Sequence, residues 1–287
     1  MIKSFSISSR LLISSLLILK SFSAHSYQGA VSGATAQSGR AALETTDTPF
    51  MNPAGVAHLR GYYFASTFST GALLPEIKQK EYSLTLIDNM DDTLVPTSLG
   101  FNEVVRTQND RTDVRKDFIL SLAYPFSPKF SLGLGLKYQD DFFIDRYRQS
   151  NTSLGALWMP AQKLALAVVF ENLIGQNPNL PEPLRQRPGA GMGIAYLQSR
   201  VVKMKADINT SSQNSLNKPT VSVGVESFLT QWVLTRVGFQ RNQEAEANLY
   251  TAGFGFLGPK FSANYAFLRE SINNEARHAV DLTIPLW

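Results

Sequence analysis

The chain reads as all-β: a transmembrane antiparallel up-and-down β-barrel of about 14 strands with a short N-terminal plug segment. Three observations carry that reading. Apolar residues recur with period two from residue 58 to the end. Short and long links between these segments alternate over most of the chain, as they do when turns lie at one membrane face and loops at the other. No run of about 20 apolar residues occurs, so a helical bundle is excluded. The charged fraction of 17% lies below the roughly 25% usual in soluble domains.

Three regions are expected: a signal peptide at 1–26, a plug or hatch segment at 27–57, and a barrel at 58–287. Residues 1–26 carry Lys3, Arg10 and Lys20 but no acid, around the short apolar core LLISSLLIL. Small residues at Ala24 and Ser26 place the cut before Tyr27. With those three cations removed, 24 basic residues face 23 acidic ones, which withdraws electrostatic support for nucleic-acid binding. Zero cysteines exclude disulfides, lipid attachment through cysteine, and thiolate metal sites.

The alternating segments fall near 58–69, 79–88, 93–107, 115–126, 128–141, 148–160, 162–174, 187–198, 200–211, 218–228, 230–241, 246–257, 259–271 and 276–287. Irregular first hairpins would reduce the count to twelve. In FSLGLGLKYQ, Phe130, Leu132, Leu134, Leu136 and Tyr138 share one face, opposite Ser131, Gly133, Gly135, Lys137 and Gln139. VKMKADIN repeats the split, with Val202, Met204, Ala206 and Ile208 opposite Lys203, Lys205, Asp207 and Asn209. The expected lumen-lining charges are Lys137, Glu171, Lys203, Lys205, Asp207, Glu226 and Arg236. So few charges imply an interior that leans apolar, and the recurrent glycines of that face read as relief where strands bend. Asp91-Asp92 and Asp140-Asp141 read as solvated charge in links.

Aromatics gather beside the short turns. Tyr124, Phe126, Trp158, Tyr196, Trp232 and Trp287 are the expected membrane-interface residues. In the last segment His278, Val280, Leu282, Ile284 and Leu286 share a face, and Trp287 does not. A bulge at Pro285 would reset that phase.

Residues 27–57 do not alternate, and Gly39–Glu44 is expected to form a helical turn or two. The segment contains Ser38-Gly39-Arg40-Ala41-Ala42 and Asn52-Pro53-Ala54-Gly55, followed at once by the aromatic strand YYFASTF. In these features the sequence resembles the FadL/OMPP1 superfamily of outer-membrane barrels, including its type IX secretion-associated relatives. The resemblance implies fourteen strands, an inward-folded N-terminal hatch with Gly39, Asn52, Pro53 and Gly55 at its turns, and a lateral route for hydrophobic ligands in transport members.

No catalytic, metal or cofactor site is expected. GFGFLG matches a dinucleotide fingerprint on paper, but Pro259 and another alternating strand follow where a helix is needed. His58 and His278 read as interface residues. The expected role is passage of small hydrophobic compounds across the outer membrane, with membrane lipid, a hydrophobic small molecule and the barrel-assembly machinery as partners. Two alternatives stand: a docking partner of a secretion or surface-attachment system, using links 175–187 and 105–116, or a plain monomeric porin.

Overall fold

The computed structural model describes residues 29–74, 77–108, 111–142, 145–181, 184–199, 201–211, 218–272 and 276–286. The signal-peptide and Trp287 expectations lie outside these residues. Alternating, β-branched and aromatic stretches form fourteen strands, each antiparallel to its neighbours. They are β1 (Gly61–Leu74), β2 (Ile77–Asn89), β3 (Thr97–Gln108), β4 (Arg111–Ser127), β5 (Phe130–Phe142), β6 (Arg146–Ala161), β7 (Leu164–Glu171), β8 (Gly189–Leu197), β9 (Val202–Ser211), β10 (Thr220–Phe228), β11 (Val233–Asn242), β12 (Ala247–Leu257), β13 (Ser262–Glu270) and β14 (Ala276–Pro285). Strand β14 returns to β1, with Tyr63 opposite Pro285 and Gly71 opposite Arg277. Closure leaves no sheet edge, which is what lets strands cross hydrocarbon with every backbone group paired.

Side chains divide by parity. On β5 Leu132, Leu134, Leu136 and Tyr138 are exposed, while Ser131, Gly133, Gly135 and Gln139 are buried in the lumen. The exposed face is apolar on every side of the barrel: Val168 on β7, Met192 on β8, Val223 on β10, Val237 on β11, Phe254 on β12 and Val280 on β14 all point outward. An apolar girdle that runs round a closed sheet is larger than the apolar patches soluble monomers expose and has the character of a surface made to be covered. One border of the girdle is legible across β2–β6. Leu86, Leu99, Leu120 and Leu136 form one outward row, and Leu84, Phe101, Phe118 and Tyr138 the next. Beyond them comes the row Tyr82, Glu103, Lys116, Asp140 and Arg148. Its charges pair with their neighbours, Lys116 with Glu103 at 3.1 Å and Arg148 with Asp140 at 3.8 Å. From Phe118 to the aromatic end at Phe126, β4 has the length of about 9–11 residues that a tilted crossing needs.

The structure corrects four expectations. Strands β3 to β6 run on past the girdle, so much of what reads as the polar links 107–114 and 141–149 is strand. Long and short links therefore do not alternate there; length is concentrated between β7 and β8. Asp140 and Asp141 belong to β5, and Asp141 is buried inside. Gly39–Glu44 forms a turn, whereas helices fall at α1 (Ala30–Ala34) and α2 (Thr48–Met51), followed by a 3₁₀ turn at Pro53–His58. The β1–β14 ladder passes through Ile284 and Pro285 without a register shift, and the Leu286 N–H donates to the Tyr62 carbonyl at 2.7 Å. Proline is tolerated there because it ends the strand.

Leu134 sits midway along the lipid-facing side of β5. Leu134→Arg is expected to destabilise the barrel by about 2–4 kcal/mol in vesicle-based urea titrations. An unchanged midpoint would mean that this face does not meet hydrocarbon.

Candidate functional site: a lumen filled by the N-terminal segment

The N-terminal segment, residues 29–58, lies inside the barrel and is held by side chains from nearly every sector of the wall. Its NPAG motif is a compact folding unit. Asn52 Oδ1 accepts the Ala54 N–H at 3.1 Å as the cap of the 3₁₀ turn, Pro53 occupies the first position, where no N–H is required, and Asn52 Nδ2 donates to the Arg40 carbonyl at 2.9 Å. Gly55 packs against Thr48. The wall then grips the backbone. Ser131 donates to the Ala54 carbonyl, Ser121 to Pro49, Thr251 to Ala34, and Asn89 to Val56. Ala36 and Gln37 both have positive φ, a costly pair for non-glycine residues, and Gln240 Nε2 holds that turn through the Ala36 carbonyl at 3.2 Å.

Two wall glycines show how closely the segment fits. A Cβ at Gly133 would lie 2.3 Å from the Ala54 nitrogen, and one at Gly238 would lie 2.6 Å from the Ala36 nitrogen. These glycines make room for the inserted backbone rather than for strand bending.

Charge fixes the segment in two places. Asp207 Oδ2 accepts the Gly39 and Arg40 amides, each at 3.0 Å, while the Arg40 guanidinium reaches Asp207 at 3.3 Å and Glu171 at 3.1 Å. Burial alone would weaken the charge of Arg40, but Glu171 and Asp207 outweigh it and raise its pKa. Further along, Glu44 takes Lys203 at 2.7 Å and Lys205 at 3.1 Å. Lys205 also pairs with Glu226, which Arg236 binds at 3.0 Å; Arg236 continues to Asn264 at 2.7 Å and Asn264 to Asp281 at 2.6 Å. Burial would raise the Glu44 pKa, yet Lys203 and Lys205 prevail and hold it well below the usual carboxylate range. Asp47 is different. Burial, and then the neighbouring Asp281, push it up to about 7, although it accepts the Ser32 N–H at 2.7 Å.

Lys203, Lys205, Asp207, Glu226 and Arg236 thus point inward, but the segment covers most of them. The Lys205 side chain is 0% exposed, so these groups tie the segment to the wall and do not border open space. Lys137 and Glu171 do border space. They line a cavity of about 300 Å³. Its floor is the segment itself, through Arg40, Pro49, Phe50 and Met51. Its roof is the β7–β8 connection, which folds into the mouth: Leu180 and Leu184 are buried, the Leu184 carbonyl accepts from Gln149 at 2.6 Å, and the Gln186 N–H donates to Gln149 at 3.2 Å. Within connection 175–187, Leu180, Leu184 and Gln186 are thus buried against the mouth, while Gln176, Pro178 and Asn179 are exposed.

The wall around the cavity is far more polar than the sequence reading allowed. Asn102, Asp117, Gln139 and Gln149 form one inward row across β3–β6, and Asp117 binds Arg115 at 3.1 Å and Lys137 at 3.5 Å. The signal was present in the sequence: the inward phase Ser131, Gly133, Gly135, Lys137 continues unbroken to Gln139 and Asp141.

Tyr124, Phe126, Trp158, Tyr196 and Trp232 all lie exposed on the outer face at the end of the barrel where β1 begins and β14 ends. His58 and His278 are far apart. His58 Nε2 meets Ser131 Oγ at 3.1 Å, and His278 faces outward against Tyr265 at 2.7 Å. GFGFLG runs along β12 into its turn.

No family model matches the chain, and no curated protein matches it in sequence. Solved structures do match in fold. The Ralstonia pickettii toluene transporter TbuX aligns with a TM-score of 0.71 at 11% identity, over 90% of this chain and 98% of that one. A Pseudomonas aeruginosa FadL homologue gives 0.66 at 12% identity, over 91% and 98%. The Pseudomonas putida toluene transporter TodX gives 0.66 at 11% identity, over 90% and 98%. The chain shares its fold with these FadL-type barrels.

Two outcomes follow from the packing. Gly133→Ala forces the Ala54 backbone off the wall and is expected to speed proteolysis of the N-terminal segment several-fold while the barrel keeps its heat-modifiable gel mobility. Asp47 is protonated more readily when docked than when free, so its contribution is full below its ordinary 3.8 and is lost as pH rises to about 7. Glu44 works oppositely and loses its contribution as pH falls below its ordinary 4.5. In planar bilayers, channel-opening events are expected to become more frequent from pH 5 to pH 8, and Asp47→Asn is expected to flatten that rise.

Proposed function

We propose that the protein is an outer-membrane channel that passes small hydrophobic compounds, with the N-terminal segment and the β7–β8 connection closing the lumen around a transit compartment. The observation that carries this reading is the cavity of about 300 Å³ between the N-terminal segment and the β7–β8 connection, inside a barrel girdled by apolar residues. An open barrel of this strand number would leave an aqueous hole. The FadL-type fold and the toluene transporters among its structural neighbours support the same reading. Gly39, Asn52, Pro53 and Gly55 shape the closing segment; Lys203, Lys205, Asp207, Glu226 and Arg236 anchor it; Lys137 and Glu171 border the path. The aromatics Tyr124, Phe126, Trp158, Tyr196 and Trp232 sit at the periplasmic interface, where rings with one wet edge are favoured. The porin alternative suffers from the filled lumen; the docking alternative keeps the exposed part of connection 175–187, while much of link 105–116 is strand.

Cells of a channel-deficient Gram-negative host that make this protein are expected to take up labelled toluene several-fold faster than cells that do not. The purified chain is expected to show no large steady conductance. A steady conductance of porin size without any gain in uptake would overturn the proposal.

A further inference from the structure

Charge is not spread evenly around the outer rim of the barrel. Beyond the apolar girdle, at the end away from Tyr124 and Phe126, outward positions on β2–β6 hold the cations Lys78, Lys80, Lys116, Arg146 and Arg148. Only two carboxylates, Glu103 and Asp140, share that face among the described residues. By contrast β7–β10 finish the same end in Phe170, Ala190, Thr210 and Val221, which carry no charge. Glu103 neutralises Lys116 at 3.1 Å, while Arg146 at 2.5 Å and Arg148 at 3.8 Å share Asp140. Lys78 and Lys80 are exposed and, among the described residues, meet no carboxylate. The link tips add Arg111 and Asp145, one of each sign. Five cations against two carboxylates leave the face clearly positive.

Directly beneath this patch the outer wall is hollowed. A groove of about 680 Å³ runs along the outward rows of β2–β5, with Leu84, Leu86, Leu99, Phe118, Leu136 and Tyr138 among its walls. Ring contacts tie its upper margin together, Phe101 to Phe118 at 5.1 Å and Phe118 to Tyr138 at 6.3 Å. Its one charged residue among those described, Lys137, turns its ammonium to Asp117 on the lumen face at 3.5 Å. Charge therefore begins one outward row, about 7 Å, above rings and leucines, the order that an anionic lipid's headgroup and chains require.

Spacing decides which lipid. Lys80 on β2 and Arg148 on β6 stand four strands apart, about 19 Å at the usual strand separation. That is more than twice the screening length of about 8 Å at physiological salt, so one phosphate cannot serve both ends.

We propose that the β2–β6 face binds an outer-leaflet lipid with several acyl chains and two phosphates, of the lipid A class. One phosphate sits at Lys78 and Lys80, the other at Arg146 and Arg148, and acyl chains lie along the groove. This rests on the outer-membrane placement in the proposal above and not on what the lumen passes. Clusters of Lys and Arg beside an apolar membrane surface recognise anionic headgroups. A plain belt of snorkelling cations would take any anionic lipid equally, and the two readings separate on that point.

The test is native mass spectrometry of the full chain released from detergent micelles. It is titrated with diphosphorylated lipid A, with the monophosphorylated form, and with dioleoyl phosphatidylglycerol. Discrete lipid A adducts are expected, at least tenfold tighter than those of either other lipid. Lys78→Gln together with Lys80→Gln is expected to weaken lipid A binding at least fivefold. Glu103→Gln, which frees Lys116, is expected to tighten it two- to threefold, an effect that a merely structural role would not produce. Arg241→Gln, on the opposite side of the barrel at β11, is expected to leave it within twofold. Heat-modifiable mobility verifies the folding of each variant. Phosphatidylglycerol bound as tightly as lipid A, or lipid A binding indifferent to the lysine pair, would overturn this inference and leave the channel reading intact. A retained lipid A preference without toluene uptake by the channel-deficient cells would overturn the channel reading alone. Recovery of the chain outside the outer-membrane fraction would overturn both.

Discussion

The closure of one sheet on itself governs everything else in this molecule. Lipid offers no hydrogen-bond partners, so a strand can cross it only with both neighbours in place, and the β1–β14 pairing supplies the last of them. Closure then sets the outer face as apolar and creates an interior wide enough to need filling. The 29–58 segment fills it. Because that segment has little regular structure of its own, its backbone groups must be satisfied by the wall, and they are: serine, threonine, asparagine and glutamine side chains from opposite sectors reach its carbonyls.

The interior is accordingly organised by polarity rather than by hydrophobic packing. Apolar contacts exist, in small clusters such as Ala30, Ala34, Leu249, Ala266 and Leu268. The specificity of docking comes from the buried charges. Arg40 between Glu171 and Asp207, and Glu44 between Lys203 and Lys205, place opposite charges on segment and wall in complementary order. Removing one member of such a buried set leaves an uncompensated charge, a change that commonly costs about 3–5 kcal/mol. A sliding or rotated segment would break both sets together.

The fold was legible in the sequence because an apolar outer face and a polar lumen face alternate along the strands. Parity on β5 and β9 told inward from outward correctly, and the inward glycines marked where something approaches the wall. What approaches was not legible. Arg40 meets partners 131 and 167 positions away, and no local pattern announces such pairs. The polar stretches between β3 and β6 misled for a physical reason. Above the membrane border a strand no longer needs an apolar outer face, so its composition becomes that of a loop while its pairing continues. Only the unbroken parity through Gln139 and Asp141 distinguishes the two. The infolding of the β7–β8 connection left no signal beyond its length and its leucines.

Amide hydrogen exchange on the full chain in lipid nanodiscs tests the central claim, that the N-terminal segment is bound to the lumen wall. The Ser32, Gly39, Arg40 and Ala54 amides are each engaged with a carboxylate or amide oxygen inside the barrel. They are expected to exchange orders of magnitude more slowly than the exposed turn amides near Asp91. Exchange of those four amides at the turn rate would show that the segment is not docked, and the closed lumen would fall with it.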